Sequence, residues 1–302
     1  MTLSTPKTTT ERRSYFEDIG VKPLTPGAMF WRQFRRHIPA LISIFVLLTL
    51  VLICLLAPFI APYQFSSIDL RNTKQPPTLK HLMGTDDLGR DLFTRVLYGG
   101  RISLSIGIFA ALVATAFGTL IGSLAGFYGG RVDNLLMRFA DIAFSIPTLP
   151  LLIVISAFTK SSVPIMIIVI GGLSWMATAR VVRGSVLSLK QQDFIVAARM
   201  IGARNSRIIF RHVLPNVIGP IVVGATLSVG SAIITESALS FLGLGVQPPT
   251  PSWGNMLQDS QTTMASKPWL TIFPGLAILI TVLCINFIGD GLQDALDPTQ
   301  RR

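Results

Sequence analysis

Six apolar runs, each near the length that crosses about 30 Å of hydrocarbon, divide the chain. The first extends roughly from Ile38 to Ile60, with Pro58 and Pro62 marking its end. The others cover about Ile102–Phe127, Phe139–Phe158, Pro164–Ala179, Val217–Leu239 and Trp269–Ile288. This pattern predicts an all-α membrane protein with six transmembrane helices. In the second run Gly118, Gly122 and Gly126 recur every fourth residue, placing a bare face on one helix where another backbone can approach. Pro147 and Pro150 predict a kink in the third span, since each removes a backbone donor. Residues 1–28 are polar and read as a flexible tail, too long and too polar to open a cleavable signal. Residues 29–302 then form one membrane domain, with the six-helix core at about 100–290.

Composition agrees with that pattern. Half of the residues are hydrophobic and 14% are charged, against about a quarter charged in soluble domains. The net charge of +11 sits between apolar runs, with no aromatic-basic surface for nucleic acid. It sets orientation instead. Lys7, Arg12, Arg13, Lys22, Arg32, Arg35 and Arg36 precede span 1, and Arg180, Arg183, Lys190, Arg199, Arg204, Arg207 and Arg211 lie between spans 4 and 5. With six spans both regions share a side, the cytoplasm, as do both termini. The segment after span 1 is also basic, but Asp69, Asp86, Asp87 and Asp91 dilute it, and it is placed outside.

Chemistry-bearing motifs are few. No G-x-x-x-x-G-K-[ST] phosphate loop, H-E-x-x-H or G-x-S-x-G occurs, so neither ATP hydrolysis by that route nor covalent catalysis is indicated. His37, His81 and His212 fall in different loops, so no metal-ligand cluster is predicted. Cys54 and Cys284 lie at depths about 15 Å apart at 1.5 Å rise per residue. A disulfide needs Cα atoms within about 7 Å, so free, packed thiols are expected. Glu236 is the one clear carboxylate within a span, near its outer end; it could gate transport, reach water, or pair with an outer-loop arginine.

The loop between spans 4 and 5 is the most informative. Phe194, Ala198 and Ile201 fall at i, i+4, i+7, one apolar face of a short helix that Gly202 is suited to end. A second short helix is expected from about Asn205 to Val213, with Leu214 and Pro215 leading into span 5. The residues alone allow two readings of the first helix: a docking face for a partner, or an amphipathic helix on the membrane surface.

This loop resembles the "EAA" signature of importer-type ABC permeases at Ala197, Ala198, Gly202, Leu214 and Pro215. It departs from the signature at Val196, where glutamate is common, and at His212, where isoleucine is common. Gly84–Asp91, Ser240–Gly245 with Gln247-Pro248-Pro249 and Trp253-Gly254, and Asn286–Leu292 with Asp294–Pro298 resemble dipeptide, oligopeptide and nickel permeases of the DppC/OppC type. The resemblance covers roughly residues 28–300. It implies a type I ABC importer permease fold and one half of a translocation pathway for peptides or related small solutes across the bacterial inner membrane. It also implies a second, similar permease, two ATPase subunits that carry ATP and Mg and grip Phe194, Ala197, Ala198, Ile201 and Gly202, and a solute-binding protein. The chain itself would hold no cofactor. Asp86, Arg90 and Asp91 could meet the binding protein or lock the outer loop onto its own domain. Two other classes remain at this level: an ion-coupled secondary transporter, which would show inverted repeats and buried acids, and an intramembrane enzyme, which would need a nucleophile and base at one depth. Nickel or another non-peptide solute would fit the same permease class.

The topology has a direct test. With the native cysteines replaced, cysteines at Ser4 and Asn205 are expected to resist a membrane-impermeant thiol reagent in intact cells, and one at Asn72 to react. Labelling of position 205 from outside would invert the assignment.

Overall fold

The computed structural model describes residues 25–159 and 162–296. Of the tail expected over 1–28, residues 1–24 lie outside the described residues, and its end is already helical. Helix α1 (Pro26–Phe34) is capped by Thr25, and α2 (Ile38–Leu55) and the short α3 (Ala57–Ile60) follow. The segment 61–91 leads to α4 (Leu92–Tyr128), then α5 (Gly130–Ser145), α6 (Thr148–Phe158), α7 (Val163–Gly172) and α8 (Trp175–Leu189). The loop after α8 holds α9 (Asp193–Met200) and α10 (Asn205–Ile208), and then come α11 (Leu214–Phe241), α12 (Trp253–Ser260) and α13 (Trp269–Leu296). Among the described residues four helices are long and apolar enough to cross a membrane, and six spans result if each of two bent pairs counts as one.

The bent pairs correct the expected third and fourth spans. In place of one kinked helix from Phe139 to Phe158, α5 and α6 meet at an angle of 80°. Ile146, forced out of the helical region by Pro147, is extended at φ −83° and ψ 124°. Pro150 sits in the first turn of α6, where its missing N–H has no helical partner to lose. The fourth span breaks by 43° between α7 and α8. Helix α8 also runs ten residues beyond the expected end at Ala179. Arg180 and Arg183 therefore belong to a helix, not a loop, and each has an acidic partner on α5. Arg183 donates from Nε and Nη2 to Asp133 at 2.5 and 2.6 Å, and Arg180 reaches Asp141 at 2.8 Å.

The centre of the domain is α4, packed against α7, α8 and α11. Its glycine face meets α8 as the spacing predicted. A Cβ on Gly118 would lie 2.7 Å from the Trp175 carbonyl oxygen, one on Gly122 would lie 2.4 Å from that of Ala179, and one on Gly126 would lie 2.9 Å from that of Arg183. The two backbones are in contact over more than two turns. Cys54 and Cys284 are free and buried.

Because the Gly122 contact is with backbone, Gly122→Ala forces α4 and α8 apart, at a cost of about 1–3 kcal/mol. Gly184→Ala, on α8 with nothing within 4 Å of its Cβ, is expected to be neutral or to stabilise by up to about 1 kcal/mol. Thermal denaturation in detergent distinguishes them, and equal behaviour would contradict the close approach.

Candidate functional site

The α9 loop is built on a hydrophobic cluster. Ile195 and Ala198 of α9 are buried with Phe127, Val182, Val186, Ile208, Ile209, Val213, Val217 and Ile221, drawn from α4, α8, α10, the turn at Ile209–Val213 and α11. The Arg199 guanidinium lies 5.2 Å from the centre of the Phe127 ring and adds a cation–π contact. The end of α9 is a full Schellman motif. Gly202, at φ +78°, donates to Arg199 O at 2.9 Å, and Ala203 donates to Ala198 O at 3.1 Å. Nothing lies within 4 Å of a Cβ placed on Gly202, so its backbone conformation, not crowding, selects glycine there.

The structure divides the predicted apolar face. Ala198 points inward, whereas Phe194, at 44% exposure, and Ile201, at 85%, point outward with Ala197, Val196 and Met200. The inward anchor that the periodicity missed is Ile195. Val196, standing where the EAA signature commonly has glutamate, lies on the outward side. Leu214 packs against the cluster, and Pro215 is exposed in the first turn of α11. The second short helix is not separate. Residues 205–241 run on as one span, with a π-helical turn at Ile209–Val213. Pro215 has no N–H to return to the Arg211 carbonyl, and a widened turn just before it accommodates that loss. Asn216 Nδ2 donates to His212 O at 2.7 Å in the same place.

Near the start of α4, at the opposite end of that helix from the α9 loop, Asp86, Arg90 and Asp91 are 5%, 7% and 4% exposed. Asp86 accepts from the backbone of Leu88 and Arg90 at 3.0 and 2.9 Å, and from Arg90 Nε at 2.6 Å. Arg95 Nε lies 3.3 Å from Asp86, and Arg90 and Arg95 each reach Asp259 of α12 at 3.6 Å. Burial pushes the Asp259 carboxyl upward, and the two guanidiniums pull against that shift. Asp91 caps α4 by accepting from Thr94 N at 2.8 Å and lies 2.9 Å from His81 Nδ1. Of the two roles expected for Asp86, Arg90 and Asp91, their geometry serves the lock of the outer loop onto its own domain. Side chains this enclosed present little to an outside partner.

Glu236 reaches neither water nor an arginine. It is 0% exposed and accepts from Ser240 at 2.7 Å, Ser103 at 3.1 Å and Ser237 at 3.5 Å. Ser252 Oγ continues the chain to Ser240 at 3.4 Å. This serine cage joins α4, α11 and the start of α12. Trp253 is fully buried there, with its backbone N–H on Ser103 Oγ at 3.2 Å and Nε1 on Val96 O at 3.0 Å. Helix α12 is thus pinned at its start by the cage and at its end by Asp259. Ser103 and Asp259 were not singled out by sequence, and Ser240 entered only as the first residue of the Ser240–Gly245 motif. The available signal was local: Ser252 and Asn255 form a capping box, with bonds of 2.9 and 3.2 Å.

Residues 118–302 match the model of the binding-protein-dependent transport system inner membrane component. Residues 25–77 match the N-terminal transmembrane domain of oligopeptide transport permease C. The chain is 42% identical over 278 residues to the dipeptide transport system permease protein DppC of Alkalihalophilus pseudofirmus, covering 92% of this chain and 91% of that one. It is 46% identical over 275 residues to the glutathione transport system permease protein GsiD of Escherichia coli, covering 91% of each. The chain belongs to the binding-protein-dependent permease family. It is a permease subunit of an ABC importer, a multi-pass inner-membrane protein and a transport subunit in place of an enzyme. The ion-coupled secondary transporter and the intramembrane enzyme are thereby set aside.

In this permease the serine cage has a measurable consequence. Glu236→Ala leaves hydroxyls unpaired and a cavity behind; a buried polar group left without its partner costs about 1–3 kcal/mol. Glu236→Gln keeps the volume, and the serine hydroxyls can rotate to accept from its amide. Thermal stability is expected to fall in the order wild type, Gln, Ala. An Ala variant as stable as wild type would contradict the cage.

Proposed function

We propose that this permease forms one half of a translocation pathway for small peptides, paired with a second, similar permease. Two ATPase subunits engage the α9 loop from the cytoplasm, and a solute-binding protein delivers solute from outside. Both termini lie in the cytoplasm. The carrying observation is the asymmetry of α9. Its inner side, Ile195 and Ala198, is fixed to the ends of α4, α8 and α11, while Phe194, Val196, Ala197, Met200 and Ile201 stand outward. A helix held rigidly on one side and apolar on the other suits a docking knob that passes force into membrane helices. The peptide class is supported by the names of the two relatives, one for dipeptides and one for glutathione.

The sequence holds no phosphate loop, so ATP and its Mg act on the partner subunits. For ATP to drive transport, it must bind one conformer of the assembly better than the other. Movement of the ATPases then reaches α11 through the α9 cluster and the π turn. Glu236 acts as the brace that keeps the outer cap rigid while the inner half moves.

Substitution at Gly202 tests this reading. Gly202→Asp adds backbone strain on the order of 1 kcal/mol at a positive φ and sets a carboxylate on the docking side. Insertion and pairing with the second permease should be normal, with ATPase association and uptake lost. Gly202→Asn, which tolerates the same backbone conformation without a charge, should retain most uptake. Gly129 is no neutral control, since it also has a positive φ of 66°. Wild-type uptake by Gly202→Asp, with the ATPases still bound, would sink the docking role and leave α9 as a helix on the membrane surface.

A further inference from the structure

The short helix α1 has a role that transport by the core does not require. Its inner side is accounted for: Phe30 and Phe34 stack at 5.8 Å and pack with Ala40 and Leu41 of α2 and with Leu292 and Ala295 of α13. Its other side carries Trp31, 51% exposed, and Arg32, with Arg35 and Arg36 in the turn that follows, all exposed. The Arg35 guanidinium lies 5.2 Å from the centre of the Trp31 ring. None of the three arginines forms an ion pair among the described residues. The nearest acid of α13 that takes a partner, Asp294, faces His37 at 3.8 Å.

Depth is set by the chain itself. Ile38 opens α2, and Ile38, Ile42, Phe45, Leu48 and Leu52 stand exposed along it as the surface that meets hydrocarbon. Arg35 and Arg36 are the second and third residues before Ile38, so their guanidiniums lie at the level of the headgroups. There an amphipathic indole is also stable, and a guanidinium presents paired donors to phosphate oxygens. A charge bias between loops explains which side these arginines occupy. It does not explain why three guanidiniums with no ion pair among the described residues, and an exposed tryptophan, are held on one fixed helix and the turn after it, against the end of α13.

We propose that α1 is a binding site for the headgroup of an anionic phospholipid, held by Arg32, Arg35 and Arg36 beside Trp31. The bound lipid fastens the α1–α13 corner to the bilayer, giving the core a fixed reference at the membrane surface. Each juxtamembrane arginine contributes about a fivefold preference for anionic lipid.

The test uses the permease purified with its partner subunits and titrated with phosphatidylglycerol or phosphatidylcholine, with retained lipids counted by native mass spectrometry. Wild type is expected to retain phosphatidylglycerol preferentially. Arg35→Gln/Arg36→Gln should lower that preference by at least roughly tenfold, with assembly intact. Arg131→Gln/Arg138→Gln removes equal charge from exposed positions of α5, which starts on the same side of the membrane, and should leave the preference in place. Arg35→Lys/Arg36→Lys should retain most of it. Equal retention of both lipids by wild type, an unchanged preference in the first variant, or an equal loss in the α5 variant would overturn the site.

Discussion

The direct contact between the backbones of α4 and α8 is the constraint on which the rest of the permease depends. Three glycines on one face of α4 leave no side chain between the helices, so α8 is fixed in height and rotation relative to α4. Everything at the inner end follows from that registration. Val182 and Val186 of α8 and Phe127 of α4 form the floor on which Ile195 and Ala198 of α9 sit. The outer end uses the same rod. Arg95, Val96 and Ser103 of α4 receive Asp86, Trp253 and Glu236. A single helix therefore joins the α12 cap to the α9 loop.

The two ends are held by different physics. The outer cap is tied by buried carboxylates, guanidiniums and hydroxyls, each directional and each costly to leave unpaired. It has few alternative arrangements of similar energy. The α9 loop is held by apolar contacts, one cation–π pair and the cap at Gly202, and apolar contacts permit small sliding at modest cost. The π turn at Ile209–Val213 lies between this loop and α11, where a widened helix can take up a change of direction. A rigid half at the α12 end and a yielding connection at the α9 end are what the proposed drive through the α9 loop requires.

Much of this was legible in the sequence where the cause is local. The long apolar runs marked the spans, the four-residue spacing of Gly118, Gly122 and Gly126 marked the α4 packing face, and Gly202 marked the helix end. Features set by distant partners were not legible. Hydropathy of the run from Phe139 to Phe158 averages across the break at Ile146, and Arg180 looked like a loop residue because its partner Asp141 lies in another helix. The stripe Phe194–Ala198–Ile201 gave the period of α9 but not its facing direction, because Ile195 finds its neighbours in α8 and α11. The burial of Asp86, Arg90 and Glu236 depends on α4, α11 and α12 closing around them, which no window of residues contains.

The outward side of α9 is the surface proposed to meet the ATPase. Met200 is 84% exposed on that side. A cysteine at position 200, in a background without Cys54 and Cys284, can be challenged with a short thiol-to-amine cross-linker in the assembled transporter. A cross-link to an ATPase subunit and protection from a soluble thiol reagent on assembly are expected. A position 200 that labels equally with and without the ATPases, and cross-links to neither, would contradict it.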